Sequence, residues 1–151
     1  MKIQKYVLGF LFAKDLNTVA LINKTHPDWQ KNKWNGIGGK ILFNETTEDA
    51  MVRTFQKETN KLLPAVYWKE FATLQSDSYE VICYAARAIQ WEDTYLETIT
   101  EENVVWFNRN NIPNEVIPNL SYLLPVAHDK LSSDSTFQYM TVDYCDTNVN
   151  S

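Results

Sequence analysis

Acidic side chains and glycines are concentrated in one stretch of the chain, where together they could form a reactive site. Three of the four glycines stand close together, as Gly36, Gly38 and Gly39, just before an acid- and lysine-rich run that includes Glu45 and Glu58. Glycine lets the backbone approach other groups closely. We therefore expect a tight glycine loop that leads into a helix, with carboxylates facing that turn.

Other familiar catalytic patterns are missing from the sequence. The glycines do not form a phosphate-binding P-loop, because no Gly-Lys-Ser/Thr follows them, and Ile41 stands where a dinucleotide fingerprint needs its third glycine. The two histidines, His26 and His128, are far apart in sequence, and there is no Gly-x-Ser-x-Gly motif. The sequence thus disfavours a serine–histidine triad and a histidine-rich metal site, and a carboxylate site remains.

The composition is typical of a single globular domain. The 151 residues are 44% hydrophobic and 22% charged, which predicts one domain over residues 1–144 with a frayed tail over 145–151. The net charge of −5 disfavours binding to a nucleic-acid polymer but permits a small anionic ligand. No apolar run reaches membrane-spanning length, and Cys83 and Cys145 have no metal-type spacing, so we expect a reducing, cytoplasmic environment.

Apolar and turn patterns predict the elements that must position these residues. Thr46 and Asp49 form a capping-box-like start for a helix over about residues 47–59, and Asn60 suits its end. A second, short helix is expected to begin near Pro118. Strands are predicted at 3–13, 18–23, 65–75, 79–89, 103–113 and 135–144, the first two as an antiparallel hairpin and 79–89 in the centre of the sheet. The predicted fold class is α+β, with a mixed, curved sheet packed against at least two helices.

Residues 39–61 resemble the Nudix box, a family pattern written G-x5-E-x7-R-E-U-x-E-E-x-G-U, in which U is an apolar residue. Gly39, Glu45 and Arg53 fall in register with this pattern, and Glu58 matches its last glutamate. The resemblance implies a Nudix-like fold, in which a mixed curved β-sheet is sandwiched between helices.

The flanking segments resemble one branch of this family, which sanitises oxidised purine nucleoside triphosphates. These segments are KWNGIGGK, VVWFNRNNIP and IPNLSYLLP. The resemblance implies hydrolysis of a nucleoside triphosphate, or of another nucleoside diphosphate derivative, at a pyrophosphate bond. It also implies weakly bound Mg²⁺ or Mn²⁺ as the cofactor and a small-molecule nucleotide as the partner.

The box departs from the family pattern on the face that holds the metal. Positions 54, 57 and 58 share one helix face, where family members place three carboxylates around Mg²⁺. Here Thr54 and Lys57 replace two of them, and only Glu58 remains. A lysine ammonium about 5 Å from Mg²⁺ would cost on the order of several kcal/mol at an effective dielectric near 20, which weakens the metal site. We expect positions 54 and 57 to lie on the open cleft side of the helix.

The resemblance assigns two roles to the remaining charged residues. Glu58 and Glu101 are expected to hold the metal and the catalytic water, while Glu45 and Arg53 are expected to brace the loop against the helix. Glu101 can also be read as a simple surface charge. Its acidic stretch holds two competitors for the role, namely Glu97 and Glu102.

The ligand is expected to contact positions that read the base and face the phosphates in the resembled branch. These are Lys24, Trp34, Asn35, Gly38, Gly39, Lys40, Lys57 and Asn119. Leu120 follows Asn119 where that branch reads its purine with two adjacent acids, so the base preference should differ. The plainer alternatives are turn asparagines, a core or pocket-wall tryptophan and a surface Lys24.

Two functional hypotheses remain open at this point. In the first, the protein is a Mg²⁺-dependent nucleotide pyrophosphohydrolase of reduced activity. In the second, it is a non-catalytic, sequestering or regulatory protein that holds a nucleotide, with Lys57 contacting phosphate directly. A structural alternative makes residues 46–60 only a solvated amphipathic helix.

Overall fold

The computed structural model describes residues 3–132 and 136–144. In that part of the chain, eight strands and two α-helices follow one another, with short 3-10 turns between some of them. Their bounds are β1 Gln4–Phe12, β2 Thr18–Asn23, β3 Trp34–Asn35, β4 Ile37–Lys40, α1 Thr47–Thr59, β5 Lys69–Gln75, β6 Tyr79–Arg87, β7 Val104–Asn108, α2 Leu120–Leu131 and β8 Met140–Asp143.

The strands form one mixed sheet in the order β3-β2-β1-β6-β5-β8. The predicted hairpin of β1 and β2 is confirmed as antiparallel, and β6 lies in the middle, parallel to β1 and antiparallel to β5. Two strands lie off this path, because β4 pairs with β1 and β7 pairs with β2. Residues 82–86 of β6 alternate between the cores on the two faces of the sheet, which explains their continuous burial.

The two helices cover opposite faces of the sheet. Side chains alternate between the faces of a strand, so Phe10 and Leu11 of β1 enter different cores. Phe10 packs in the cluster that includes Leu123 of α2, whereas Leu11 packs in the cluster that includes Phe55 of α1. The predicted α+β class, with a sheet between helices, is confirmed.

Helix α1 begins and ends as its sequence predicts. The Thr46 hydroxyl accepts a hydrogen bond from the Asp49 backbone N–H at 3.1 Å, which satisfies one of the free donors at the helix start. Asn60 closes the helix in the left-handed conformation, with a φ of 60°. The helix spans 47–59, in agreement with the predicted range.

The expectation of a tight glycine loop before this helix is wrong. Gly38 and Gly39 lie inside strand β4, and no glycine in the described residues has a positive φ. A β-carbon on Gly38 would lie only 1.9 Å from the Val7 carbonyl oxygen, so the close backbone approach predicted there is real, but it occurs within the sheet. The turn itself is made by residues 41–46, where Asn44 takes a positive φ of 62°.

The predictions for the domain bounds and the C-terminal tail involve residues outside the described part of the chain. The tail at 145–151, with Cys145, lies outside that part, so the single domain over 1–144 and its frayed end stay predictions.

Cys83 is buried, and burial raises the pKa of its thiol to about 12. No helix in the described part of the chain is long and apolar enough to cross a membrane.

Candidate functional site

Glu45 and Arg53 join the turn before helix α1 to the helix itself. The Arg53 guanidinium donates to both carboxylate oxygens of Glu45, at 2.7 and 3.0 Å, and to the Lys40 carbonyl at 2.8 Å. The hydrogen bonds from Arg53 hold the pKa of Glu45 below its ordinary value despite partial burial, and Glu45 in turn raises the pKa of Arg53. This geometry suits the bracing role that the resemblance implied.

The predicted metal face of helix α1 holds three side chains in different environments. Thr54 is buried, with 4% of its surface exposed, and its γ-methyl carbon would lie 3.1 Å from a β-carbon on Gly39. The expectation that position 54 lies on the open cleft side is therefore wrong, because strand β4 covers it. Lys57 is exposed, and its ammonium makes no ion pair with the described residues. Glu58 is half-buried.

Glu58 is joined to the segment before strand β7 by one hydroxyl group. The Thr100 hydroxyl donates to Oε2 of Glu58 at 3.1 Å and accepts from the backbone N–H of Glu102, also at 3.1 Å. Glu101 lies between these two loop residues and is exposed. The structure thus brings the segment of Glu101 to the helix position of Glu58, as the two-carboxylate prediction requires.

Glu102, rather than Glu101, is the buried carboxylate of this segment. Only 3% of Glu102 is exposed, and it accepts hydrogen bonds from the Thr25 N–H at 2.7 Å, the Thr25 hydroxyl at 3.0 Å and the Lys24 ammonium at 3.3 Å. Burial raises the pKa of Glu102, but the bonds from Thr25 and Lys24 outweigh it and leave the pKa below its ordinary value. The Thr25 hydroxyl also lies 3.2 Å from Oε1 of Glu101, but its single proton can be donated to only one of the two carboxylates, and Glu102 is the nearer.

No sequence pattern pointed to Thr25 or Thr100, and Glu102 was predicted only as a competitor for the role of Glu101. A signal for Glu102 does exist in the strand register. Strands β2 and β7 are antiparallel, with Ile22 opposite Val104, so continuing each strand by two residues places Lys24 opposite Glu102. Opposite charges across an antiparallel pair stabilise it. Recognising the β2–β7 pairing in the sequence would have been enough to find the ion pair.

The base-side residues meet at the edge of the sheet near strand β3. Trp34 donates its backbone N–H to the Glu115 carbonyl at 2.8 Å, and its own carbonyl accepts from Ile117 at 3.0 Å, so the segment before α2 lies along β3. Asn35 donates from its amide to the Gln30 side chain at 3.0 Å. Trp34 packs edge-on against the Phe107 ring and is half-buried, so it is not a fully exposed stacking surface.

Asn119 stands at the start of helix α2 without capping it. Its side chain makes no capping hydrogen bond, and its buried Oδ1 has no hydrogen-bond partner among the described residues. A buried acceptor without a donor is costly, so this oxygen is a good candidate for a ligand N–H. Asn119 follows two residues after Ile117, whose N–H donates to the Trp34 carbonyl, and its base-reading role stays a prediction.

The remaining predicted ligand residues are distributed over the same region. Lys24 is bound to Glu102, so its charge is already paired. Gly38 and Gly39 pair with strand β1 through their backbone, and Lys40 is exposed at the end of β4. The segment from Lys24 to Lys33 closes on itself through a 2.8 Å backbone bond between its ends and connects the two halves of the site.

The described residues offer few metal ligands. No group of three or more His, Cys, Asp or Glu side chains within 3–132 and 136–144 is placed to hold a metal ion. Mg²⁺ is often held by only one or two carboxylates together with substrate phosphates and water. Glu58 keeps Oε1 free of hydrogen bonds to the described residues and Glu101 is exposed, so this pair fits a cation that arrives with a phosphate ligand.

Comparisons with known proteins identify the fold. Neither the protein-family models nor the curated proteins give a match to this chain. Among solved structures, a NUDIX hydrolase from Nitrosomonas europaea matches 95% of this chain and 81% of its own, with a TM-score of 0.72 and 16% identity. The NUDIX domain of Shewanella oneidensis NrtR, solved with ADP ribose, matches 87% of this chain and 90% of its own, with a TM-score of 0.70 and 20% identity.

A third match comes from a longer protein. A MutT/nudix family protein from Enterococcus faecalis matches 72% of this chain with a TM-score of 0.60 and 23% identity, and this chain spans only 44% of it. Likeness at such low identity establishes architecture and leaves activity to be argued from the site. On that architecture, the chain has the Nudix fold.

Proposed function

We propose that this protein binds a small nucleotide derivative and hydrolyses it slowly at a pyrophosphate bond, as a Nudix enzyme with a weakened Mg²⁺ site. The observation that carries the proposal is the convergence of Glu58 and the Glu101 segment on the Thr100 hydroxyl. The matching NrtR domain was solved with ADP ribose, which is a nucleoside diphosphate derivative of the proposed class. The net charge of −5 favours such a small ligand over a nucleic-acid polymer.

One set of residues would bind the phosphate end of the ligand, and another set would bind its base. Glu58 and Glu101 would hold Mg²⁺ or Mn²⁺, which when bound screens phosphate charge and activates water. Glu101 is exposed, so its carboxylate would be accessible to accept a proton from that water. The buried Asn119 Oδ1 and the pocket wall at Trp34 would receive the base.

The altered helix face accounts for the reduced activity that we propose. Thr54 is buried under Gly39 and has no carboxylate to offer, while Lys57 places a cation next to Glu58 in sequence. Because Lys57 is exposed and unpaired within the described residues, its ammonium can turn away from a bound metal or toward a ligand phosphate. Two carboxylates without the third and fourth of the family should bind metal weakly.

A second function is favoured by the same exposed lysine. In this alternative the protein holds the nucleotide without turning it over, and Lys57 contacts a phosphate directly. The paired state of Lys24 supports it, because Lys57 is exposed and makes no ion pair with the described residues, so it is free to reach an anion.

Product formation separates the two functions. The protein is incubated with ADP ribose and with a panel of nucleoside triphosphates, with and without Mg²⁺, and the products are resolved by chromatography. The enzyme predicts Mg²⁺-dependent cleavage that Glu58→Gln removes, while Glu92→Gln, an exposed change outside the predicted site residues, leaves it intact. Tight binding that ignores Mg²⁺ and yields no product would select the binder.

A further inference from the structure

The hydroxyl of Thr100 has both of its hydrogen-bonding directions in use. It accepts the Glu102 backbone N–H at 3.1 Å and donates its proton to Oε2 of Glu58 at 3.1 Å. A hydroxyl has one proton to donate, so the incoming N–H helps to fix which way that proton points. The chain of donors therefore runs from the loop backbone through Thr100 to the carboxylate of the box helix, and such chains strengthen each member.

The first donor in this series of hydrogen bonds is the backbone N–H of Glu102, and the side chain of the same residue anchors it. The side chain of Glu102 is only 4% exposed, and it is bound by Lys24 and by both donors of Thr25. Moving this carboxylate would break bonds to a buried charge, which is costly. The backbone just after Glu102 is also held, by the bond from the Asn23 N–H to the Asn103 carbonyl at 2.8 Å. The N–H of Glu102 thus has a fixed position relative to the sheet.

The final acceptor in this series of hydrogen bonds is Glu58, the one glutamate that remains on the predicted metal face of helix α1. Thr100 occupies Oε2 of Glu58, while Oε1 makes no hydrogen bond to the described residues. A carboxylate held by one oxygen presents the other in a defined direction. With Thr54 buried and Lys57 in place of a carboxylate, no other side chain on this helix face shares the task.

We infer that Thr100 is a positioning residue, which orients Oε1 of Glu58 toward the side where the proposed cation would meet the ligand phosphates, and that Glu102 holds Thr100 in place from the side of the sheet. This inference rests on the proposed function for its effect on ligands, but the orientation of Glu58 can be measured without any ligand. A merely structural threonine would stabilise the loop without affecting the carboxylate of Glu58.

Substitutions that keep or remove the hydroxyl distinguish these two roles. Thr100→Val keeps the shape and removes the hydroxyl, whereas Thr100→Ser keeps the hydroxyl. Thr98→Val is the matched control, because the Thr98 hydroxyl accepts from the Val104 N–H at 3.0 Å in the same segment and does not contact Glu58. The readouts are the side-chain carboxyl ¹³C resonance of Glu58 in the free protein at one fixed pH, and the Mg²⁺-dependent binding of ADP ribose by calorimetry.

The expected pattern is specific to the hydroxyl of Thr100. Thr100→Val should shift the Glu58 resonance and weaken ADP ribose binding by about tenfold, the loss expected for one hydrogen bond to a charged group. Thr100→Ser should restore both readouts, and Thr98→Val should leave the Glu58 resonance unchanged. An unshifted resonance in Thr100→Val, or an equal shift in Thr98→Val, would overturn the inference. If the wild type binds none of the nucleotides, the proposed function fails, and the resonance alone still decides the role of Thr100.

Discussion

Thr54 closes directly against Gly39, with its γ-methyl carbon 3.1 Å from where a β-carbon on that glycine would lie. A carboxylate introduced at position 54 would therefore be buried under strand β4. We expect Thr54→Glu to lower the free energy of unfolding by about 3 kcal/mol or more, since an unpaired charge loses its hydration. The exposed Lys57→Glu is the control and should cost little. Equal urea midpoints for the two variants would show that position 54 is open.

The Glu45–Arg53 brace should make stability depend on pH. The pKa of Glu45 is lower in the folded protein than in the unfolded chain, so its contribution is full above the unfolded pKa and is lost as the pH falls through the folded one. We expect Glu45→Gln to cost about 1 kcal/mol at neutral pH and progressively less below about pH 4.5. Urea unfolding of both proteins across that pH range measures the difference in their free energy of unfolding. A difference that stays constant with pH would contradict the brace.

The Lys24–Glu102 pair should matter for the fold because its carboxylate is buried. We expect Lys24→Met to lower the free energy of unfolding by about 1–3 kcal/mol, since Glu102 then keeps the donors of Thr25 and a 3.6 Å contact with the exposed His26 imidazole, but no lysine. Lys31→Met, an exposed change on the same loop, should be close to neutral. Adding Glu102→Gln to Lys24→Met should recover part of the loss, because it removes the unpaired charge. A neutral Lys24→Met would show that the pair contributes nothing.

Removing the unpartnered Oδ1 of Asn119 should have opposite effects on the stability of the free protein and on its affinity for the ligand. We expect Asn119→Leu to leave the melting temperature unchanged or raise it, because a buried acceptor without a donor is removed. Affinity for ADP ribose should fall by about tenfold if that oxygen accepts from the ligand. Asn114→Leu is the exposed control. A clear loss of stability with unchanged affinity would make Asn119 a structural residue.

Local signals in the sequence were enough for the helix and the main strands. The Thr46 cap and the left-handed Asn60 are decided by neighbouring residues, so the bounds of α1 could be predicted closely. The resemblance predicted that Glu101 lies near Glu58; the hydrogen bond from Thr100 brings its segment to that helix position, and the metal role of the pair stays a prediction.

The errors came from contacts between distant parts of the chain. The glycines look like a loop in sequence, but pairing with β1 places Gly38 in a strand, where the missing side chain makes room for the neighbouring backbone. The burial of Thr54 depends on the same strand. The Lys24–Glu102 pair depends on a β2–β7 register that joins residues far apart in sequence. Strand pairing of this kind is set by the whole sheet rather than by any one segment.

The central claim is that a weakened metal site still supports hydrolysis, and the variant Lys57→Glu tests it most directly. This change removes the exposed cation and adds a carboxylate one residue from Glu58, without disturbing the buried Thr54. The measurement is the rate of product release from ADP ribose and nucleoside triphosphates as Mg²⁺ is titrated, with Glu58→Gln as the inactive reference. We predict measurable turnover in the wild type, and in Lys57→Glu a lower Mg²⁺ requirement with a rate about tenfold higher, equivalent to about 1.4 kcal/mol of barrier. No product from either protein at any Mg²⁺ concentration, with nucleotide still bound, would contradict the claim.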